Sequence, residues 1–201
     1  MKELKYILLA LILFPLVGMV SSCSEDNSEV NEYANWEQRN NEMIEQWAAN
    51  SSLRKIKSYA KDPNVTGKNY DYIYVEVLEQ GNGTESPLFT DTARVAYRGR
   101  TISTPSYPEG IVFDESYLGD FSWRTAGMRD FCCASVVEGF TTAVINMHIG
   151  DRWRVYIPYQ LGYGTSSSSL MEAYSNLIFD IALQDFWHVN DSRPEFKARQ
   201  E

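Results

Sequence analysis

Ser135-Val136-Val137-Glu138-Gly139-Phe140-Thr141-Thr142-Ala143-Val144-Ile145-Asn146-Met147-His148-Ile149-Gly150 is the stretch on which the fold turns. A serine followed three residues later by glutamate matches a capping box, in which each side chain satisfies a free backbone amide of a helix start. Val137, Phe140, Val144 and Met147 then fall on one face of a helix. Gly150 is the expected stop at its far end. A helix this short, with one apolar face, needs a larger surface to cover.

The flanking sequence supplies that surface as strands. Ile73, Val75 and Val77 alternate with Tyr72, Tyr74 and Glu76. Ala93, Val95, Tyr97 and Gly99 alternate with Arg94, Ala96, Arg98 and Arg100, so an apolar face opposes a basic one. Trp153, Val155 and Ile157 alternate with Arg152, Arg154 and Tyr156, and Leu177 to Gln184 repeats the pattern. Period-two alternation marks strands, and its repetition predicts an antiparallel sheet covered on one face only. The expected fold class is α+β: a curved antiparallel sheet wrapped on one short helix.

Upstream the period changes. Tyr33, Trp36, Asn40, Met43 and Trp47 recur at three- and four-residue steps, which predicts helix over residues 33–60. Asn50-Ser51-Ser52 is expected to break it into two helices. An amphipathic stripe usually faces its own core; the sharper alternative is a homodimer seam or partner groove through residues 33–60. Asp62-Pro63-Asn64 and Gly67 mark a loop.

The first residues carry a different message. Lys2 and Lys5 precede an apolar run from Tyr6 to Val20, the layout of a secretory signal. The run is shorter than the ~20 residues a spanning helix needs. It ends at Ser21-Ser22-Cys23, which resembles a lipobox, so Cys23 is the expected lipidation site and membrane anchor. Ser24-Glu25-Asp26-Asn27 resembles the surface-export signal of Bacteroidetes lipoproteins and equally suits a solvated tether. The expected location is the outer membrane, facing periplasm or cell surface.

Composition narrows the function classes. A net charge of −9 over 201 residues, with no Lys/Arg stripe, argues against nucleic acid as a partner. A hydrophobic content of 44% supports a packed core rather than global disorder. Beyond Cys23 the cysteines are Cys132 and Cys133, whose adjacency disfavours a mutual bridge. His148 and His188 give no metal-ligand spacing, and no metal or cofactor is expected.

In order, the landmarks are Val95-Ala96-Tyr97-Arg98-Gly99, Val112-Phe113-Asp114-Glu115-Ser116, Val136-Val137-Glu138-Gly139-Phe140, Ala143 to Gly150, Ile157-Pro158, Leu161-Gly162-Tyr163-Gly164 and Leu177-Ile178-Phe179-Asp180. This succession, over about residues 70–187, resembles the FKBP family of peptidyl-prolyl isomerases. The resemblance implies a pocket on the concave side of the sheet. Its positions map onto Tyr97, Phe113, Asp114, Phe121, Val136, Val137, Phe140, Tyr163 and Phe179, with Phe140 where the family usually has tryptophan. It implies that Phe113, Trp123, Phe140 and Phe179 shape and dry a proline socket. The Val137 amide and Tyr163 hydroxyl would then meet substrate carbonyls, Asp114 would orient Tyr97, and Met171 and Phe121 would add apolar contact.

Three departures qualify that expectation. The segment from Gly99 to Phe113 is long and carries Pro105 and Pro108. No arginine lies between Asp114 and Phe121, where many members place one. Met171-Glu172-Ala173 stands where the family usually has Ile-Pro-Pro. The chain therefore divides into a signal at 1–22, a tether at 23–32, a helical extension at 33–66, an FKBP-like domain at 67–190 and a tail at 191–201. The implied activity is prolyl cis-trans isomerisation on proline-containing polypeptides of the cell envelope. The alternatives are a catalytically weak peptide-binding chaperone and a surface interaction protein reusing the fold.

Overall fold

The computed structural model describes residues 30–169 and 171–196. The signal, Cys23, most of the tether and the end of the tail lie outside the described residues.

The helix α1 (Trp36–Ala49) buries Trp36, Asn40, Ile44 and Trp47. Three of these, Trp36, Asn40 and Trp47, belong to the expected stripe, and Trp36, Ile44 and Trp47 pack with Tyr74 and Ile102 of the same domain. The stripe is thus occupied by the chain's own sheet. The expected second helix is absent: Arg54–Lys57 is a strand, β1. Ile56 reaches the main core, while alternate lysines keep this short edge solvated. Period-two reading fails on so short a segment because lysine is neutral between helix and edge strand. The sheet consequently begins before residue 67, inside what the sequence suggested was a helical extension.

Six further strands follow: β2 (Tyr72–Glu79), β3 (Thr92–Arg100), β4 (Val112–Glu115), β5 (Arg129–Cys132), β6 (Arg152–Ile157) and β7 (Leu177–Trp187). Their order is β1-β2-β6-β7-β3-β4, with β5 sharing the outer edge of β3. All named pairings are antiparallel, with Ile56 opposite Ile73, Val75 opposite Val155, and Val155 opposite Phe179. Register shifts at Arg94/Val95 and Gly99/Arg100 mark irregularities on both edges of β3. Such bulges sharpen local twist and bend a strand.

The concave face is filled by a second helix, α2 (Glu138–Val144), whose Phe140 and Val144, with Met147 beyond its end, enter the main core. Gly139 is required at the contact with β6, since a Cβ there would lie 2.3 Å from Ile157 Cγ2. The expected capping box does not form. Cys133–Ser135 makes a tight turn of its own, and the Ser135 hydroxyl donates to the Cys132 carbonyl at 2.7 Å. The Glu138 carboxylate instead accepts the Ser58 hydroxyl. The helix also ends earlier than Gly150, which lies in the following turn at φ 91°. That turn is closed by the Asp151 carboxylate accepting the His148 amide at 2.8 Å.

The convex face is not bare, contrary to the one-sided expectation. At one end α1 covers Tyr74, Tyr156 and Ile178. At the other, Tyr117, Trp123 and Ala126 cover Ala96 and Ala182. Between them runs an alternating row in register across five strands: Glu76, Arg154, Asp180, Arg98 and Glu115. Arg154 is bidentate to Asp180, at 2.7 and 2.9 Å, and Arg98 meets Glu115 at 2.7 Å. Arginine forks suit such planar pairing.

Candidate active site

Gly99 is where the site begins. A Cβ at this position would lie 2.4 Å from the Phe179 ring and 2.7 Å from that of Phe113. Its absence lets both rings lie over the β3 backbone. Phe113 and Phe179 then meet edge to face at 5.4 Å, Phe140 and Phe179 at 5.0 Å, and Tyr97 and Phe140 at 6.0 Å. Perpendicular pairs of this kind gain from the ring quadrupole as well as from burial. Three strands, β3, β4 and β7, and α2 thereby converge on one aromatic floor.

Two cavities that share Asp114 and Tyr163 open over this floor. One, of about 220 Å³, is lined by Tyr97, Phe131, Ser135, Val136, Val137, Phe140 and Phe179. The other, of about 420 Å³, is lined by Phe113, Ser166, Ser167, Ser168 and Met171. The structure therefore gathers Tyr97, Phe113, Asp114, Val136, Val137, Phe140, Tyr163, Met171 and Phe179, as the sequence suggested. A larger concavity, about 490 Å³, lies at the far end of β7 against Glu85, Asp185, His188 and Asp191. None of the aromatic-floor residues lines it.

Phe121 and Trp123 are not part of the site. They sit on the convex face, where the rings contact each other at 5.1 Å. The Trp123 indole donates to Glu79 at 2.8 Å, and the Arg152 guanidinium lies 4.5 Å from the Phe121 ring centroid. The segment after β4 folds back over Ala96 and Ala182, small residues that leave room for it, so its aromatics face away from Phe179. Two residues were missed instead. Phe131, on β5, contacts Phe140 at 5.3 Å. Arg129, on the same strand, brings its guanidinium 5.9 Å from the Tyr97 ring centroid and donates to the Glu115 carbonyl at 3.3 Å. A cation thus lies beside the Tyr97 ring although no arginine lies between Asp114 and Phe121. The four-residue β5 carries too little alternation to announce either residue.

Polar groups in the site are few and held. The Tyr97 hydroxyl donates to Asp114 Oδ2 at 2.7 Å. Burial, with the Asp114 hydrogen bond second, pushes the Tyr97 phenol up to about 12. The Ser116 hydroxyl accepts the Tyr97 amide at 2.9 Å and donates to the Gly127 carbonyl at 2.7 Å, which fixes β4 against β3. Tyr163 is half exposed, and burial followed by the Asp114 charge raises its phenol. Its hydroxyl therefore remains a neutral donor facing the opening. Cys132 and Cys133 are free thiols behind this wall, with Cys133 raised by burial to about 12.

Residues 83–184 match the model of the FKBP-type peptidyl-prolyl cis-trans isomerase family. The chain belongs to this family. It is 31% identical over 147 residues to the FKBP-type peptidyl-prolyl cis-trans isomerase FkpA of Escherichia coli, covering 71% of this chain and 48% of that one. It is 36% identical over 108 residues to the macrophage infectivity potentiator of Trypanosoma cruzi, covering 53% and 48%. The chain thus spans about half the length of these relatives. The crystal structure of Escherichia coli FkpA superposes with a TM-score of 0.56 at 25% identity, over 76% of this chain and 60% of that one. A Pseudomonas syringae prolyl isomerase gives the same TM-score at 22% identity, over 77% and 95%, and supports the fold alone. In this FKBP-type chain the short helix and curved sheet are the family architecture, to which α1 is added on the convex side.

Proposed function

We propose that the aromatic pocket is a prolyl isomerase site and that the chain catalyses cis-trans isomerisation of X-Pro bonds. The observation that carries this is the meeting of Tyr97, Phe113, Phe140 and Phe179 under two adjoining cavities whose polar rim, among the described residues, is made by Asp114, Tyr163 and serines. Rotation about the amide crosses a barrier of about 18–20 kcal/mol, set by conjugation. No bond breaks, so catalysis needs only preferential binding of the twisted form. Twisting withdraws charge from the carbonyl oxygen, and a dry aromatic floor favours that less dipolar state. Each tenfold acceleration takes about 1.4 kcal/mol, within reach of a few contacts. Val137 immediately precedes α2, where first-turn amides lack partners inside the helix, and it suits a substrate carbonyl. Tyr163 offers a second donor.

The test is a protease-coupled isomerisation assay on the full chain with an FKBP-directed macrolide. Catalysis that the macrolide blocks supports the reading; a folded but inactive protein overturns it. A peptide-holding chaperone is the second reading. It is favoured by the Ser166–Ser168 rim, which lacks the prolines that stiffen a loop. Retained peptide binding without catalysis selects it.

The cellular reading is an exported lipoprotein anchored through Cys23 that assists envelope-protein folding. Its support is Lys2, Lys5, the apolar run and Ser21-Ser22-Cys23. Metabolic labelling with a fatty acid, lost in Cys23→Ala, is the expected result. Unlabelled protein with an intact N-terminus removes the anchor. Sedimentation of the full chain decides whether a homodimer exists, and α1 would then have to contribute its outward face.

A further inference from the structure

Arg129 stands on the pocket side of β5. In the β3–β5 ladder it lies opposite Val95, and Phe131 lies opposite Ala93. Residues directly opposite one another share a face of the sheet, and Val95 and Ala93 both belong to the main core. Phe131 accordingly lines the smaller cavity. Two residues away on the same face, Arg129 brings its guanidinium 5.9 Å from the ring centroid of Tyr97, which lines that cavity too. Asp130, between them, points to the other face, where Arg94 and Arg193 hold it. We propose that Arg129 is a specificity-determining residue of the pocket and binds the side-chain carboxylate of an aspartate or glutamate next to the substrate proline. This rests on the pocket reading above and narrows its substrate class to sequences with an acidic residue beside the proline.

The ligand chemistry follows from what the other sheet arginines do. Arg94 pairs with Asp130, Arg98 with Glu115, Arg100 and Arg154 with Asp180, and Arg152 with Glu79. Arg129 is exposed and, among the described residues, has no carboxylate within ion-pair distance; its hydrogen bond, at 3.3 Å, goes to the Glu115 backbone carbonyl. The carboxylates nearby in sequence and register are already engaged. Glu115 accepts from Arg98 at 2.7 Å, and Asp114 accepts from the Tyr97 hydroxyl at 2.7 Å. A guanidinium carries five N–H donors in a planar fork that matches a carboxylate, so most of this fork is open to a ligand. Among the described residues, neither cavity is lined by a lysine, arginine or histidine, and Arg129 therefore adds a charge that the aromatic floor lacks. An extended chain advances about 3.3–3.6 Å per residue. With a proline over the Tyr97 ring, the adjacent residue is the one whose side chain comes within reach of a group 5.9 Å from that ring. A lysine in the same place would meet like charge.

The experiment measures catalysed cis-trans exchange by NMR on the full chain, with proline pentapeptides blocked at both ends so that no terminal charge intervenes. One peptide carries glutamate immediately before the proline and another immediately after it; their counterparts carry glutamine in the same places. The readout is the ratio of kcat/KM for glutamate over glutamine, in which any loss common to both peptides cancels. In Arg129→Gln this ratio is expected to fall about threefold from wild type at one or both positions, the scale of an exposed ion pair, with the change in KM. Arg129→Glu reverses the charge and should lower the ratio further. In molar salt, where screening acts within about 3 Å, the wild-type ratio should approach that of Arg129→Gln. A ratio unchanged in both variants, equal losses on both peptides included, overturns the proposal, because Arg129 then only steadies the Tyr97 ring. A preference seen only for a glutamine peptide with a free C-terminal carboxyl would assign the guanidinium to chain ends and overturn it as well. If wild type exchanges none of the peptides, the pocket reading falls, and equilibrium binding of the same peptides decides Arg129. Tighter binding of glutamate that Arg129→Gln abolishes sustains the proposal; equal affinities, or no binding of either, overturn it.

Discussion

The Tyr97 hydroxyl and Asp114 Oδ2 lie 2.7 Å apart, joining the floor of the pocket to its rim through one charge-assisted hydrogen bond. The bond spans β3 and β4, so it fixes a strand edge as well as two side chains. Hydrogen bonds to charged groups contribute about 1.5–3 kcal/mol. Asp114→Ala is therefore expected to lower kcat/KM about tenfold or more while leaving the sheet folded, since Asp114 is at the opening and not in the core. Tyr97→Phe keeps the ring and removes only the donor, and should fall between wild type and Asp114→Ala. Unchanged kinetics in both variants would place the reacting bond elsewhere.

Phe179 belongs to pocket and core at once. It contacts Tyr97, Phe113 and Phe140 and is 5% exposed on the central strand β7. Truncating such a ring costs about 3–5 kcal/mol, so Phe179→Ala should lower the denaturant midpoint severely and lose activity by unfolding. Phe179→Leu retains most of the volume and separates the roles. It is expected to remain folded in denaturant titrations and to lose isomerase activity several-fold.

Strands with a clean period of two were legible residue by residue, because each buries one face of Ile73, Val95, Val155 or Ile181 in the same core. The pocket positions on those strands, Tyr97 and Phe179, followed from the family resemblance and not from the alternation itself. What the sequence concealed depended on partners far away in the chain. Arg54–Lys57 becomes a strand because β2 offers an edge, not because of its own pattern. Ser135 and Glu138 have the spacing of a cap, yet a tight turn and Ser58 claim them. Phe121 and Trp123 resemble pocket aromatics locally, and only the small residues Ala96 and Ala182 decide which face of the sheet receives them.

The N-terminal helix is bound to the loop that overhangs the site. Asn40 is fully buried; its side-chain oxygen accepts the Asn176 amide at 2.8 Å, and its carbonyl accepts the Asn176 side chain at 2.7 Å. Trp36 adds a bond from its indole to Ser175 at 2.9 Å. Asn40→Ala strands a buried amide, which costs about 1–3 kcal/mol. A lower denaturant midpoint is expected, together with faster hydrogen exchange at Ser175 and Asn176. If the midpoint falls but exchange in that loop does not change, α1 stabilises the sheet without positioning the pocket rim.

His188 and Asp91 should make stability depend on pH. Asp91 is buried and accepts His188 Nδ1 at 2.9 Å, while its other oxygen has no hydrogen-bond partner among the described residues. The hydrogen bond to Asp91 is the main cause that raises the His188 imidazole, with Asp91, Asp191 and Glu85 adding negative charge nearby. A raised folded-state pKa means the folded form holds the proton more tightly than the unfolded chain. The contribution is then fully present below the unfolded value of about 6.5 and is lost as pH rises through the raised folded value. Because His188 is half exposed, solvent screening keeps the effect small. Thermal unfolding midpoints of wild type should decline relative to His188→Gln as pH passes from below 6.5 into the mildly alkaline range. Parallel profiles would show that Asp91 is held by the Leu88 amide at 2.7 Å and the surrounding turn, without the imidazolium.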